Sequence, residues 1–351
     1  MMEDLIKDWN GETVIIRYDR PSGAWIFIAI HSTRLGPAGG GTRMKTYPDV
    51  ASALTDAQRL AEAMTYKMAL SGLNFGGGKA VIAIPEDLAP DSRPDLLRRH
   101  GKLIRQLGGL FYTGADIGTS ATDMDLIAET GAPYVFGRTP AAGGAGSSGA
   151  ATALGVLAGM QVASELIFGE RSLKDRRILV QGAGSVGGAL IDYLHSAGAK
   201  VMFSDVEEGA VCHFRDGVGL QCVPAEDVYH IECDIFAPCA GGQVLNAQTI
   251  SQLKCRVIAG GANNQLAEPK DAERLKERGI LYAPDYVINS GGAMFVVGVE
   301  TQGWTRKQAE NMLTEGVQDA LSQIFELALA QDITTESAAR QVAEQRLSPH
   351  S

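Results

Sequence analysis

Residues 177–205 read RILVQGAGSVGGALIDYLHSAGAKVMFSD. An apolar run of strand composition, Arg177 to Gln181, meets Gly182, Gly184 and Gly187. A helical stretch follows to about Ala197, and a second apolar run, Lys200 to Ser204, ends on Asp205. The spacing G-x-G-x-x-G is weak evidence by itself. Set between a strand and a helix, with an acid 23 residues beyond its first glycine, it predicts a βαβ unit that binds a dinucleotide. Gly182 makes the tight turn, Gly184 lets backbone approach the pyrophosphate, and Gly187 lets helix pack closely on strand. The helix N-terminus, entered through Ala183, Ser185 and Val186, offers amide donors and a positive dipole end to the diphosphate. Asp205 stands where an acid meets the adenosine ribose hydroxyls and repels a 2′-phosphate, so the expected cofactor is NAD rather than NADP.

Working outward, short apolar strands follow at 233–240 (CDIFAPCA), 256–264 (RVIAGGANN) and 280–287 (ILYAPDYV). From Thr305 the pattern is helical, with Met312, Val317, Leu321, Ile324 and Leu327 on one stripe. Strands alternating with helices imply a parallel, doubly wound sheet. Upstream, a helix at 150–168 is preceded by GRTPAAGGAGSSG (137–149), the expected hinge. Earlier still come a hairpin of two alternating strands (12–18 and 24–31), a helix at 49–69, a buried strand after GGGK (76–79), and a helix at 95–107. A strand with a loop then leads to a helix capped by Ser120 or Thr122.

Glycine supplies 42 of 351 residues, roughly 17 more than average usage would give. With 45% hydrophobic residues and no G-X-Y period, that surplus marks special backbone positions in a globular protein. A net charge of −10 disfavours nucleic acid as the main partner and favours small molecules. The five cysteines form no CxxC pair, which suits reduced cytoplasmic thiols and gives no metal site. The N-terminus has no apolar signal region, and no 18-residue apolar run is evident, so a cytoplasmic protein without a membrane partner is expected.

Nicotinamide chemistry needs groups that orient substrate and move protons. Lys79 follows three glycines at the mouth of a buried strand, where desolvation lowers an amine's pKa towards the range of a usable base. Lys67, in MTYKMALSGL, is the other lysine of note, and Asp116 lies in YTGADIG. On local sequence alone, a side chain snorkelling at a strand end is the leading reading of each lysine, and an N-cap or turn acid that of Asp116.

The ordered blocks GPAGGGTR (36–43), MTYKMALSGLNFGGGKAVI (64–82), YTGADIGTSATDMD (112–125), VQGAGSVGG (180–188), CDIFAPCA, IAGGANNQL (258–266) and YAPDYVINSGGA (282–293) resemble the Glu/Leu/Phe/Val amino-acid dehydrogenases over nearly the whole chain. WNGE, HSTRLGPAGGGTR and FGRTPAAGGAGSSG are most similar to the phenylalanine-specific branch. The resemblance implies an α/β protein of two domains with the cleft between them. Residues 1–138 would form a mixed-sheet substrate-binding and oligomerisation domain, and 139–309 a Rossmann NAD-binding domain. Helices at about 310–351 would return to the first domain. It implies a homo-oligomer, with the first 35 residues and their exposed Trp9 and Trp25 contributing. Lys67 would bind the substrate carboxylate, Lys79 would be the catalytic acid/base, and Asp116 would assist proton transfer at the amine. Asn263 would touch substrate and nicotinamide, while Arg43, Ser148, Thr152, Cys239 and Ala240 would approach the cofactor.

In the same resemblance Gly39, Gly40, Gly114, Ala293 and Val296 line the side-chain pocket. No lysine stands at position 39 to pair a second carboxylate, which disfavours glutamate. Relatives acting on leucine tend to carry Leu at 39 and Val at 293. Their absence predicts room for a ring, and L-phenylalanine is the expected substrate. Leucine, valine or tryptophan are the alternatives. The expected reaction is oxidative deamination to the 2-oxo acid and ammonia, with reductive amination as its reverse. A catalytically silent NAD-binding regulator would be expected to lose Lys79 or Asp116, and both are present.

Overall fold

The computed structural model describes residues 2–348 and divides into two compact units. The first comprises the described residues up to Ser147, Val296–Thr305, and those from Arg346. The second comprises Ser148–Phe295 and Arg306–Gln345.

In the first unit a five-stranded sheet has the order β1-β2-β4-β3-β5. Its strands are β1 (Thr13–Asp19), β2 (Ala24–Ser32), β3 (Ala38–Lys45), β4 (Gly76–Ala83) and β5 (Phe111–Ala115). The first two form the predicted hairpin, in register from Thr13 opposite Ile30 to Asp19 opposite Ala24. β2 and β4 are antiparallel, while β3 runs parallel to both β4 and β5, so the sheet is mixed. Alternation along β2 sends Ile26, Ile28 and Ile30 to one core, with Leu96, Leu97 and Phe111, and sends Phe27 and Ala29 to another, with Leu54 and Ala57. Both faces are therefore covered, which accounts for the near-continuous apolar strands. The helices are α1 (Met2–Lys7), α2 (Val50–Leu70), α3 (Arg93–Gln106) and α4 (Ala121–Gly131). Asp49 caps α2 by accepting the Ser52 amide at 2.6 Å. Of the two cap candidates for α4, Ser120 takes the position, in a reciprocal box with Asp123.

The second unit holds six parallel strands in the order β11-β10-β9-β6-β7-β8. They are β6 (Arg177–Gln181), β7 (Lys200–Ser204), β8 (Gln221–Cys222), β9 (Ile235–Pro238), β10 (Val257–Ile258) and β11 (Leu281–Tyr282). Counted from β6, this is the 3-2-1-4-5-6 order of dinucleotide-binding sheets, with the topological switch between β6 and β9. Helices α5 (Gly149–Phe168), α6 (Ser185–Ser196), α7 (Glu208–Cys212), α8 (Ala247–Gln252), α9 (Lys270–Glu277) and α10 (Asp285–Ile288) are followed by α11 (Gly291–Thr301), α12 (Arg306–Gln331) and α13 (Thr335–Leu347).

Several expectations are corrected. The units divide at 147/148, inside the 137–149 stretch read as the hinge, where 138/139 was expected, and again at 295/296, 305/306 and 345/346. Residues 306–345 belong to the second unit rather than the first, because α12 lays Leu313, Val317, Leu321 and Ile324 inward and packs on α5. Met312, 46% exposed, is off that stripe, since Leu313 continues the four-residue step from Ala309 to Val317. Within the stretch read as the hinge, the buried Glu300 carboxylate accepts the Gly137 and Ala145 amides, each at 2.8 Å, and Asp125 accepts from Thr139. The third C-terminal strand is only two residues long, because Asp285–Ile288 turns helical after Pro284. Trp9 and Trp25 are half-buried rather than exposed, the first against His31 and the second between Tyr18 and Phe27. Finally, α5 has a mean hydropathy of 1.5 over 18 residues and is long and apolar enough to cross a membrane by composition. Most of that stretch is buried, as a core helix packed on α6 and α12.

Candidate active site

In the first unit, Lys79 lies on β4 opposite Ala29 of β2, with its side chain almost wholly buried. Its Nζ donates to Asp116 Oδ2, just beyond the end of β5. Asp116 Oδ1 accepts from Arg43 Nε at 3.1 Å and from the Ile117 amide at 2.5 Å. The Asp116 amide donates to Thr119 Oγ1, which in turn donates to the Thr42 carbonyl. Arg43 Nη1 reaches Asp56 Oδ2 at 3.0 Å, and the same oxygen accepts from Tyr47 at 2.7 Å.

Electrostatics in this cluster follow from burial and pairing. Burial pushes the Lys79 amine below its ordinary value, although the Asp116 charge pulls the other way. Burial would raise the Asp116 carboxyl, but the charges of Lys79 and Arg43, with hydrogen bonds from Lys79 and Ile117, more than offset this and hold it at about 2. Burial also acts against the Arg43 charge, and Asp116 and Asp56 together hold it protonated. Arg43, expected at the cofactor, thus has its guanidinium committed to two carboxylates of the first unit.

Lys67 is half-buried in the last turn of α2. Gly39 and Gly40 lie on β3 and Gly114 on β5, where Gly41 pairs with Gly114. The space these glycines free is largely taken by the protein itself. A Cβ at Gly39 would stand 3.1 Å from both the Met68 methyl and the Phe75 ring. At Gly40 it would fall 1.8 Å from the Gly78 carbonyl oxygen, and at Gly114 2.8 Å from the Phe136 ring. Phe75 meets Tyr112 and Phe136 edge-on, with centroids 5.4 and 6.5 Å apart. Val296 belongs to this unit, with Gly137 beside it.

In the second unit the three loop glycines separate by what surrounds them. Gly182 has φ +94°, which accounts for the turn. A Cβ at Gly187 would fall 1.8 Å from the Gly182 carbonyl oxygen, whereas one at Gly184 meets no protein atom within 4 Å. Close packing therefore demands glycine at 187, while the surface at 184 is open for a ligand. The first turn of α6, Ser185–Val186–Gly187, has no side-chain cap, which leaves its amides as donors. Asp205 accepts the Ala183 amide at 2.5 Å and the Glu207 amide at 2.8 Å, so it also braces the loop. This cradle fits the diphosphate and ribose of NAD.

Ser148 and Thr152 open α5, with Thr152 Oγ1 donating to the Ser148 carbonyl at 2.9 Å. Their turn abuts the glycine loop, since a Cβ at Gly149 would fall 2.0 Å from Ser185 Oγ. Ala293 follows Gly292, whose Cβ position is crowded by Thr152 and Ser148. The Cys239 amide donates to the Gln181 carbonyl at 2.7 Å, and Ala240 packs over Gly182. Burial pushes the Cys239 thiol up to about 11, so it stays protonated. Asn263 is exposed beyond β10, and its Oδ1 accepts from Asn289 Nδ2 at 2.8 Å. That contact leaves the Asn263 amide nitrogen as the outward donor.

Sequence reasoning missed Asp56, Tyr47 and Asn289. The first two carry no motif: Asp56 meets Arg43, and Tyr47 donates to Asp56, only in the fold. Asn289 lay within the YAPDYVINSGGA block without an assigned task. Among the described residues, no group of three or more His, Cys, Asp or Glu side chains is gathered as for a metal ion.

Comparison with known proteins gives consistent matches. A profile described as "Glu/Leu/Phe/Val dehydrogenase, dimerisation domain" matches residues 17–132, and one described as "Glutamate/Leucine/Phenylalanine/Valine dehydrogenase" matches 143–223 and 206–350. The chain is 43% identical to a leucine dehydrogenase of Geobacillus stearothermophilus over 342 residues, covering 97% of this chain and 92% of that protein. It is 38% identical to a phenylalanine dehydrogenase of Lysinibacillus sphaericus, covering 96% and 89%. The crystal structure of L-tryptophan dehydrogenase from Nostoc punctiforme superposes with a TM-score of 0.84 at 36% identity, covering 99% of this chain and 98% of that one.

Proposed function

The chain belongs to the Glu/Leu/Phe/Val family of amino-acid dehydrogenases, and we propose that it deaminates an apolar aliphatic L-amino acid, leucine first, and runs the reductive amination in reverse. Its cofactor is NAD. The observation that carries the proton chemistry is the Lys79 amine, 4% exposed and held against the ionised Asp116. Desolvation makes a neutral amine available nearer physiological pH than a surface lysine allows.

When bound, NAD supplies the two-electron acceptor for the hydride that leaves Cα. Lys67 binds the substrate carboxylate and fixes the direction of Cα, the positioning contribution to rate. Neutral Lys79 takes the proton from the water that adds to the imino carbon. Once Lys79 is protonated, its contact with Asp116 passes a proton toward the nitrogen that departs as ammonia. The two groups titrate as a pair: the Lys79 charge depresses the Asp116 carboxyl, and a neutral Lys79 relaxes that hold.

Two observations support the aliphatic substrate over the phenylalanine expected from the glycines. Met68, Phe75 and Phe136 occupy much of the space that Gly39 and Gly114 free, and the identity to the leucine enzyme, 43%, exceeds that to the phenylalanine enzyme, 38%. Likeness to the tryptophan enzyme supports an aromatic second reading. Initial rates with NAD+ at 340 nm for leucine, valine, phenylalanine and tryptophan decide between them. We expect leucine to lead phenylalanine in kcat/KM by roughly tenfold. A lead for either aromatic overturns the substrate, and no turnover with any of the four overturns the reaction. The proposal extends to a homo-oligomer, supported by the dimerisation-domain profile over 17–132.

A further inference from the structure

Behind Lys79 lies a line of alternating charges. Lys79 Nζ contacts one oxygen of Asp116, and Arg43 Nε holds the other. Arg43, only 9% exposed, spans from Asp116 to Asp56, and Tyr47 and Arg59 both donate to Asp56. The cations and anions arrive from four segments: β4, the loop after β5, β3 with its exit, and α2. Asp56 and Lys67 are eleven residues apart on α2, about three helical turns, and so share one helix face.

We propose that Arg43 and Asp56 are positioning residues for the catalytic pair: Asp56 anchors Arg43, and Arg43 fixes the orientation of the Asp116 carboxylate and the charge that Lys79 experiences. A carboxylate bonded at one oxygen can rotate about its Cβ–Cγ bond. Asp116 is bonded at both, and the planar guanidinium that holds it is itself held at its far end. The inference rests on the reading of Lys79 as the base.

The charged groups that act on Lys79 are Asp116, Arg43 and Asp56. Arg43 disfavours the ammonium, and Asp56 favours it. The two residues therefore have opposite effects, which distinguishes the network from mere structural support. Deamination needs neutral Lys79, so the acidic limb of the pH–kcat profile follows the titration of that amine. In Asp56→Asn the ammonium loses a favourable charge, and the limb moves to lower pH. In Arg43→Gln it loses an unfavourable charge, and the limb moves to higher pH. A shift of roughly half a pH unit each way is expected.

The test compares wild type, Asp56→Asn, Arg43→Gln and Lys79→Ala. Two readouts are used: pH profiles of leucine deamination, and acetic anhydride labelling of Lys79 followed by mass spectrometry across pH without NAD. Opposite shifts in both readouts establish the network. Shifts in the same direction, or none, overturn it. If Lys79→Ala keeps its turnover, the assignment of the base falls instead, and the labelling curves still decide the network. Asp56→Glu restores the charge and is expected to restore the limb. Arg43→Lys keeps the charge but cannot bridge two carboxylates, so its labelling curve stays near wild type while turnover falls. Circular dichroism excludes unfolded variants, and the conservative pair carries the test if either neutral variant does not fold.

Discussion

In the first unit, Lys79, Asp116, Arg43 and Asp56 satisfy one another through side chains from four separate segments, whereas the 182–187 loop of the second is backbone from one run of six residues. The first is closed and charge-compensated before any ligand arrives. The second presents a glycine, Gly184, that faces no protein atom. A site made of buried charges is sensitive to which charge is removed, because its remaining partners are left uncompensated. A site made of backbone is sensitive to added volume, because a side chain at Gly184 would stand on the open surface where the diphosphate is expected.

The contrast breaks most sharply at Lys79. Lys79→Ala is expected to lower kcat by about 10³-fold, within the span of general-base losses, while fluorescence titration finds NADH affinity unchanged; turnover within tenfold of wild type removes Lys79 from the chemistry. Adding volume to the second region should separate its glycines. Gly184→Val should weaken NADH binding by about tenfold or more with an unchanged melting temperature. Gly187→Val, which meets the Gly182 carbonyl, should cost about 1–3 kcal/mol of stability, read as a fall of several degrees in Tm. Equal Tm for the two valine variants would erase the distinction between a ligand-facing and a packing glycine. A smaller effect is expected at the rings. Phe136→Leu opens space beside Gly114 and should raise the phenylalanine-to-leucine ratio of kcat/KM by roughly threefold to tenfold; an unchanged ratio assigns Phe136 to the core rather than the pocket.

Much of the second unit was legible from local sequence. The strand 177–181 and the strand 200–204 lie where the apolar runs placed them, and α6 stops at Ser196, next to the predicted end. Their signals are local: a period, a glycine, an acid at fixed spacing. The first unit was legible in its hairpin and helices but less so in its chemistry. Lys79 and Asp116 were singled out from their glycine neighbours and from family likeness. Their contact spans 37 positions, and nothing local in either segment specifies it. Arg43 was expected near the cofactor from family likeness alone. The carboxylates that its guanidinium meets in the fold, Asp116 and Asp56, come from other segments. The pocket expectation depends on the fold for a related reason. A glycine in a sequence shows volume removed, and only the fold shows whether Phe75, Met68 or Phe136 has moved into it.

By itself the sequence determined the glycine fingerprint between strand and helix, the parallel character of the second sheet and the hairpin, because each is carried by spacing along the chain, while Lys79 and Asp116 were singled out through family likeness. Tertiary structure alone decided which charges compensate Lys79, which neighbours fill the space beside Gly39 and Gly114, and to which unit residues 306–345 belong. Burial and pairing between distant segments set these, and both arise only when the chain is folded.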